Sequence, residues 1–191
     1  GIHGVGAEQV RELREAGYRD LTARQLVDLG IHGVSGEYIR SMREAGYGGL
    51  SPEALVEMRI HNVSARYLRE LAEAGFRGLT RQQVMQMGVH GVTPEYIREV
   101  REAGFRDLGP EQLAQMRIHN VTARYVRELA ELGYRDLPLE QLMQMGIHGV
   151  TPEFIREVRE AGFRDLSAGT LVRMKIHGIG SEYVRGARGN R

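Results

Sequence analysis

GVHGVTPEYIREVREAGFRDLGPEQLAQM, residues 88–116, returns at residues 146–174 as GIHGVTPEFIREVREAGFRDLSAGTLVRM, with 21 of 29 positions identical. Between them stands a more distant copy, RIHNVTARYVRELAELGYRDLPLEQLMQM at 117–145, which matches residues 59–87 better, at 20 of 29 positions. All seven histidines, His3, His32, His61, His90, His119, His148 and His177, keep this 29-residue spacing. Self-similarity at a fixed period of about 20–50 residues marks a stacked repeat array. The 191-residue chain therefore reads as one repeat domain of units 1–29, 30–58, 59–87, 88–116, 117–145 and 146–174, with a partial unit at 175–191. From residue 30 to residue 174 a 58-residue alternation of HGV units with HNV units lies over the shorter period, as duplication of pairs would produce.

Each unit contains two helical patterns. In the first, helix A, Thr93 suits an N-cap, Pro94 the first helical position and Glu95 the positive end of the helix dipole. Tyr96, Ile97, Val100 and Ala103 form one apolar stripe. Gly104 then fits the left-handed residue that ends a helix, with Phe105 as its apolar follower. Helix B starts after caps such as Thr22, Ser51 and Ser167 and is expected to bury Leu26, Leu29 and Ile31, or Leu55, Met58 and Ile60. Gly33 or Asn62 follows the histidine, and these two residue types tolerate the left-handed conformation that closes helix B. Helices of about ten residues, only ~15 Å long, cannot bury a stripe alone, so neighbouring units must stack. The expected fold is all-α, an α-solenoid or superhelical array of six and a half two-helix repeats, with seven A and six B helices.

Composition narrows the function classes. Net charge is +1 and Lys175 is the only lysine among 26 basic residues, so nothing in the balance calls for nucleic acid. Zero cysteines exclude disulfides and thiolate chemistry. No run approaches the roughly 20 apolar residues of a membrane span, and no signal peptide is visible, so a soluble and by preference cytoplasmic protein is expected, without membrane insertion. No HExxH, nucleophile elbow or P-loop occurs, and histidines one repeat apart stand too far from one another to share an ion. The expectation is a protein without catalytic residues, metal or cofactor. His32, His61, His90, His119 and His148 are instead expected to seal the repeat junction, a ring nitrogen donating to a terminal carbonyl.

Three rows recur on the surface. Arg11, Arg40, Arg69, Arg98, Arg127, Arg156 and Arg185 recur in every unit, and all but Arg185 precede a glutamate by four residues, the spacing of a helix-surface pair. The same guanidinium row could meet acidic side chains of a partner. Helix B offers Gln25, Gln83, Gln112 and Gln141, whose amides suit an extended peptide. At the ends, Gln9 replaces the aromatic residue of every other unit, and the last unit thins into Gly186–Arg191. Terminal repeats of this kind either cap the array or stack end to end.

Two resemblances follow from these motifs. GVTPEYIREVREAGF with the following RIHNV or GIHGV looks like short tandem repeats of bacterial proteins, some of which accompany BlaR-type membrane metallopeptidase sensors. That likeness spans almost the whole chain and implies a ligand- or protein-binding accessory module. MRIHNVSARYLREL and MKIHGIGSEYVRG are similar to the helix-hairpin-helix motif of DNA repair proteins, in which hairpin amides hold a phosphate. Gly4-Val5-Gly6 and Gly178-Ile179-Gly180 fit that pattern best. Ser35, Ser64, Thr93, Thr122 and Thr151 replace its second glycine, and Asn62 and Asn120 its first. The reading reached is a non-catalytic protein- or peptide-binding scaffold, a natural module or an engineered repeat protein alike, with nucleic-acid binding through the hairpins as the alternative.

Overall fold

The computed structural model describes residues 6–180. Among them the chain forms twelve helices of nine residues each and no strand, and helix starts recur with the 29-residue period. The A helices are α1 (Ala7–Glu15), α3 (Gly36–Glu44), α5 (Ala65–Glu73), α7 (Pro94–Glu102), α9 (Ala123–Glu131) and α11 (Pro152–Glu160). The B helices are α2 (Ala23–Ile31), α4 (Pro52–Ile60), α6 (Arg81–Val89), α8 (Pro110–Ile118), α10 (Leu139–Ile147) and α12 (Ala168–Ile176). The protein is a helical repeat array. The expected seventh A helix, with Arg185 and the thinned end of the chain, lies outside the described residues, as do His3, Gly4 and Val5.

Local chemistry sets most of the helix ends. Ser35, Ser64, Thr93, Thr122 and Thr151 each accept the amide of the residue three positions on, at 3.1 Å in all five cases. At the other end two backbone bonds fold the chain back: Val34 N–H donates to Leu29 O at 2.8 Å and Gly33 N–H to Gly30 O at 3.1 Å. This Schellman pairing needs a left-handed residue, and it is Gly33 at φ 65° or Asn62 at φ 57°. Val34 and Val63 are thereby turned under the helix end, both fully buried. That placement corrects one expectation. Ile31 and Ile60 are 63% and 51% exposed, because two residues turn a helix by about 200° from Leu29 and Met58. The inner slot they were expected to occupy is filled by the valine after the turn.

The chain divides into two compact units, Gly1–Ile97 and Arg98–Arg191, the division falling within α7. In the first, α1 packs on α3, α3 on α5 and α2 on α4. Leu13, Leu29, Met42, Leu55, Met58 and Val84 form its core. In the second, α9 packs on α11 and α10 on α12, around buried Met116, Leu129, Leu142, Met145, Ile155 and Leu171. Within each unit like helices stack on like.

Tyrosine hydroxyls stitch successive repeats. Tyr38, Tyr67 and Tyr125 donate to the carbonyls of Val63, Val92 and Val150 at 2.6–2.8 Å. Tyr18, Tyr47 and Tyr134 donate to Leu50, Leu79 and Leu166 at 2.6–2.9 Å. Arg43 and Arg159 reach back to cap the preceding A helix at the carbonyls of Ala16 and Leu132. Each such bond satisfies a carbonyl that a helix end or turn leaves open.

The 58-residue alternation has a structural cause in two kinds of junction. In one kind a cation two residues before the histidine lies back over the previous repeat. Arg59 donates to Gly33 O at 3.3 Å and sits 5.1 Å from the Tyr38 ring centre. Lys175 lies 4.7 Å from the Phe154 ring, next to Gly149. A side chain longer than a methyl at residue 33 would meet the Arg59 guanidinium. In the other kind that position is glycine and the backbones close in. A Cβ on Gly88 would lie 2.9 Å from Val63 Cγ2 and 3.2 Å from His61 O. On Gly146 it would lie 2.7 Å from Val121 Cγ2 and 2.8 Å from His119 O. Asn62 and Asn120 precede these close junctions, where no cation folds back.

Candidate functional site

Helix B presents the most regular unfilled surface. Ile31, Ile60 and Val89 in the first unit, and Ile118, Ile147 and Ile176 in the second, are each 45–63% exposed. Large aliphatic side chains at one repeated exposed position make a row, not scattered surface residues. In the first unit Val56, Pro52 and Ile60 floor a groove of about 330 Å³ between α2 and α4, walled by Asp28, Glu53 and Glu57. The Gln25 amide donates to Glu53 at 2.8 Å, and this bond holds the carboxyl below its ordinary range.

The arginine row is exposed, but its pairing differs from the sequence expectation. Arg11 approaches Glu15 at 3.9 Å, whereas Arg156 turns back to Glu153 at 3.2 Å. Arg40, Arg69, Arg98 and Arg127 have no ion pair among the described residues. The shorter pairs are instead Arg66–Glu70 at 2.7 Å and Arg124–Glu128 at 2.8 Å, whose arginines stand three residues before Arg69 and Arg127.

The glutamine row is largely committed to its own helices. Thr80 N–H donates to Gln83 Oε1 at 3.0 Å and Gly109 N–H to Gln112 Oε1 at 2.9 Å, as Thr22 N–H does to Gln25. At Thr22 and Thr80 these are the return bonds of capping boxes, legible in sequence as Thr-x-x-Gln, whereas Gly109 has no side chain to complete one. Gln141 follows Pro138, which has no N–H to give, and stands exposed.

The histidines lie at the junctions, with a different role for the ring. His32, His61, His90, His119, His148 and His177 are the C-cap residues of the B helices. The ring-to-carbonyl bond expected of them is not made by His32, His61, His119 or His148 among the described residues. It is the backbone of His61 and His119 that packs the close junctions, while tyrosine and arginine side chains make the inter-repeat bonds. Among the described residues no three His, Asp or Glu side chains are placed to hold a metal ion. The amides of Gly33 and Val34, which a phosphate-holding hairpin would offer, are spent on the helix-closing bonds.

The two junction types differ in what covers the aromatic ring. Tyr38 and Phe154, beneath Arg59 and Lys175, are 7% and 6% exposed. Tyr67 and Tyr125 make the same hydroxyl bond but are only partly buried, and no cation lies over either among the described residues. At Tyr125 the space left is a groove of about 280 Å³, bordered by Asn120, Gly146, Glu128 and Glu153. Burial raises the phenol pKa at all three tyrosines, with Arg59 countering it at Tyr38 alone. None of the described helices is long and apolar enough to cross a membrane. Compared with protein-family models, curated proteins and solved structures, the chain matches none.

Proposed function

We propose that this array is a non-catalytic scaffold that binds protein or peptide partners. The observation that carries the reading is the row of exposed aliphatic side chains at the ends of the B helices. Repeat arrays provide extended surfaces of this kind, and a row kept apolar at every unit is a surface suited to another molecule. The exposed guanidinium groups, Arg40 and Arg69 in the first unit and Arg98 and Arg127 in the second, are suited to acidic side chains of a partner. The reading agrees with the accessory role implied by the resemblance to sensor-associated bacterial repeats.

The experiment is affinity capture from source-cell extract with the full chain as bait, compared with an Ile31→Ser/Ile60→Ser/Val89→Ser variant. Exposed positions tolerate substitution within about 0.5 kcal/mol, so the variant keeps its helical circular dichroism. Loss of specifically captured proteins is the expected result; equal recovery by both baits refutes the aliphatic row. An Arg98→Ala/Arg127→Ala/Arg156→Ala bait tests the acidic contact separately. Salt-dependent retention of duplex DNA would replace the proposal with the hairpin reading.

A further inference from the structure

We infer that the close junction at Tyr125 is a docking slot for a basic side chain, arginine or lysine, of a partner peptide. The inference rests on the array being a protein-binding scaffold, but it uses none of the aliphatic row. Its warrant is internal to the chain. At the junctions where a cation folds back, the aromatic residue at the third position of helix A carries that cation on its face, Arg59 on Tyr38 at 5.1 Å and Lys175 on Phe154 at 4.7 Å. Guanidinium and ammonium are both accepted, as expected of an interaction with the ring quadrupole.

Tyr125 occupies the equivalent position, anchored in the same way by its hydroxyl on Val150 O at 2.6 Å. The residue that would supply its cation is Gly146. That residue cannot be a basic one without moving the backbone, since its Cβ would stand 2.8 Å from His119 O. Close packing therefore leaves the ring face without an internal partner and opens the groove of about 280 Å³ beside it. Only another molecule can supply the missing group.

At the rim each carboxylate already has an arginine partner, so the ring face, not the rim charge, selects a cation. Glu128 and Glu153 border the groove against one arginine, Arg124, which is exposed and bonded to Glu128 at 2.8 Å. Arg156 approaches Glu153 from outside at 3.2 Å. An incoming guanidinium over the Tyr125 ring would share the groove with Glu128, Glu153 and Asn120, which line it. In the first unit Tyr67, Asn62, Gly88 and Glu70 repeat the pattern at a 58-residue interval.

The test uses the full chain and three nine-residue peptides of alternating serine with arginine, lysine or citrulline. Binding is read from the Tyr125 ring resonances by NMR at low salt. The arginine and lysine peptides are expected to shift them saturably and the citrulline peptide to leave them in place. Exposed charge pairs contribute little individually, so Glu128→Gln/Glu153→Gln is expected to weaken the response about threefold to tenfold. Glu153 is exposed and Glu128 half-buried, and unchanged urea denaturation verifies that the fold is kept. Unmoved Tyr125 resonances, or an equal shift with the citrulline peptide, overturn the proposal. Either result leaves the aliphatic-row experiment standing, because that variant alters none of these residues.

Discussion

Replacing Gly146 with alanine tests the close junction directly. The residue lies in the last turn of α10, where alanine would ordinarily favour the helix by up to about 1 kcal/mol. Here the added methyl would stand 2.7 Å from Val121 Cγ2 and 2.8 Å from His119 O. Ordinary contact begins near 3.4 Å, so both neighbours must retreat by more than half an ångström. Val121 is fully buried and stiff at χ1, and the His119 oxygen belongs to the backbone. Overpacking of this kind costs about 1–3 kcal/mol. Set against the propensity gain, the net is a destabilisation of up to about 2 kcal/mol. The control is Gly169→Ala in α12, where no atom lies within 4 Å of the new methyl and a stabilisation of about 0.4–1 kcal/mol is expected. Urea denaturation by circular dichroism measures both, and exchange of the Val150 amide reports locally, since repeat arrays need not unfold in one step. If Gly146→Ala stabilises as Gly169→Ala does, the two-junction account of the 58-residue alternation is wrong.

Two further outcomes follow from the same geometry. Asn62 and Asn120 hold φ 57° and 56°, so Asn62→Ala and Asn120→Ala should each cost about 1–2 kcal/mol, whereas the glycine substitutions should be close to neutral; thermal melts of the four variants decide this. The Tyr38 phenol is pushed up to about 12 from 10.0 by burial, with Arg59 opposing. Its contribution is complete below pH 10 and is lost as pH rises toward 12, because the unfolded chain releases the proton first. Allowing for screening by solvent, about 1–2 kcal/mol should disappear over that window. Urea curves at pH 9 and pH 11 should show a smaller loss for Tyr38→Phe than for the unaltered chain, and identical slopes would remove Tyr38 as the source.

Much of the helical architecture was readable from particular residues. Thr93, Pro94 and Gly104 mark the ends of α7 by local rules, and the recurrence of Gly or Asn after each histidine marks the end of helix B. The candidate surface was less readable. Leu29 and Ile31 belong to the same apolar pattern, but their directions differ by 200°, and the outer one becomes surface only because Val34 folds beneath the helix. The glutamines were read as free amides although Thr22-x-x-Gln25 already spells a capping box. Arg40 and its equivalents have glutamates at pairing distance along the chain, yet exposed side chains gain too little from that contact to adopt it uniformly.

By itself the sequence determined the repeat, the helix pairs and their ends, because caps, left-handed residues and a 3.6-residue period act within one or two turns of chain. Only the tertiary structure decided which apolar residues face outward and what lies over each aromatic ring. Those outcomes depend on contacts between residues some 25 to 32 positions apart, such as Arg59 with Gly33, Tyr38 with Val63 and Tyr18 with Leu50. A glycine or an arginine before the histidine looks like a neutral exchange until the preceding repeat is packed against it. Then one closes the junction, and the other covers a ring.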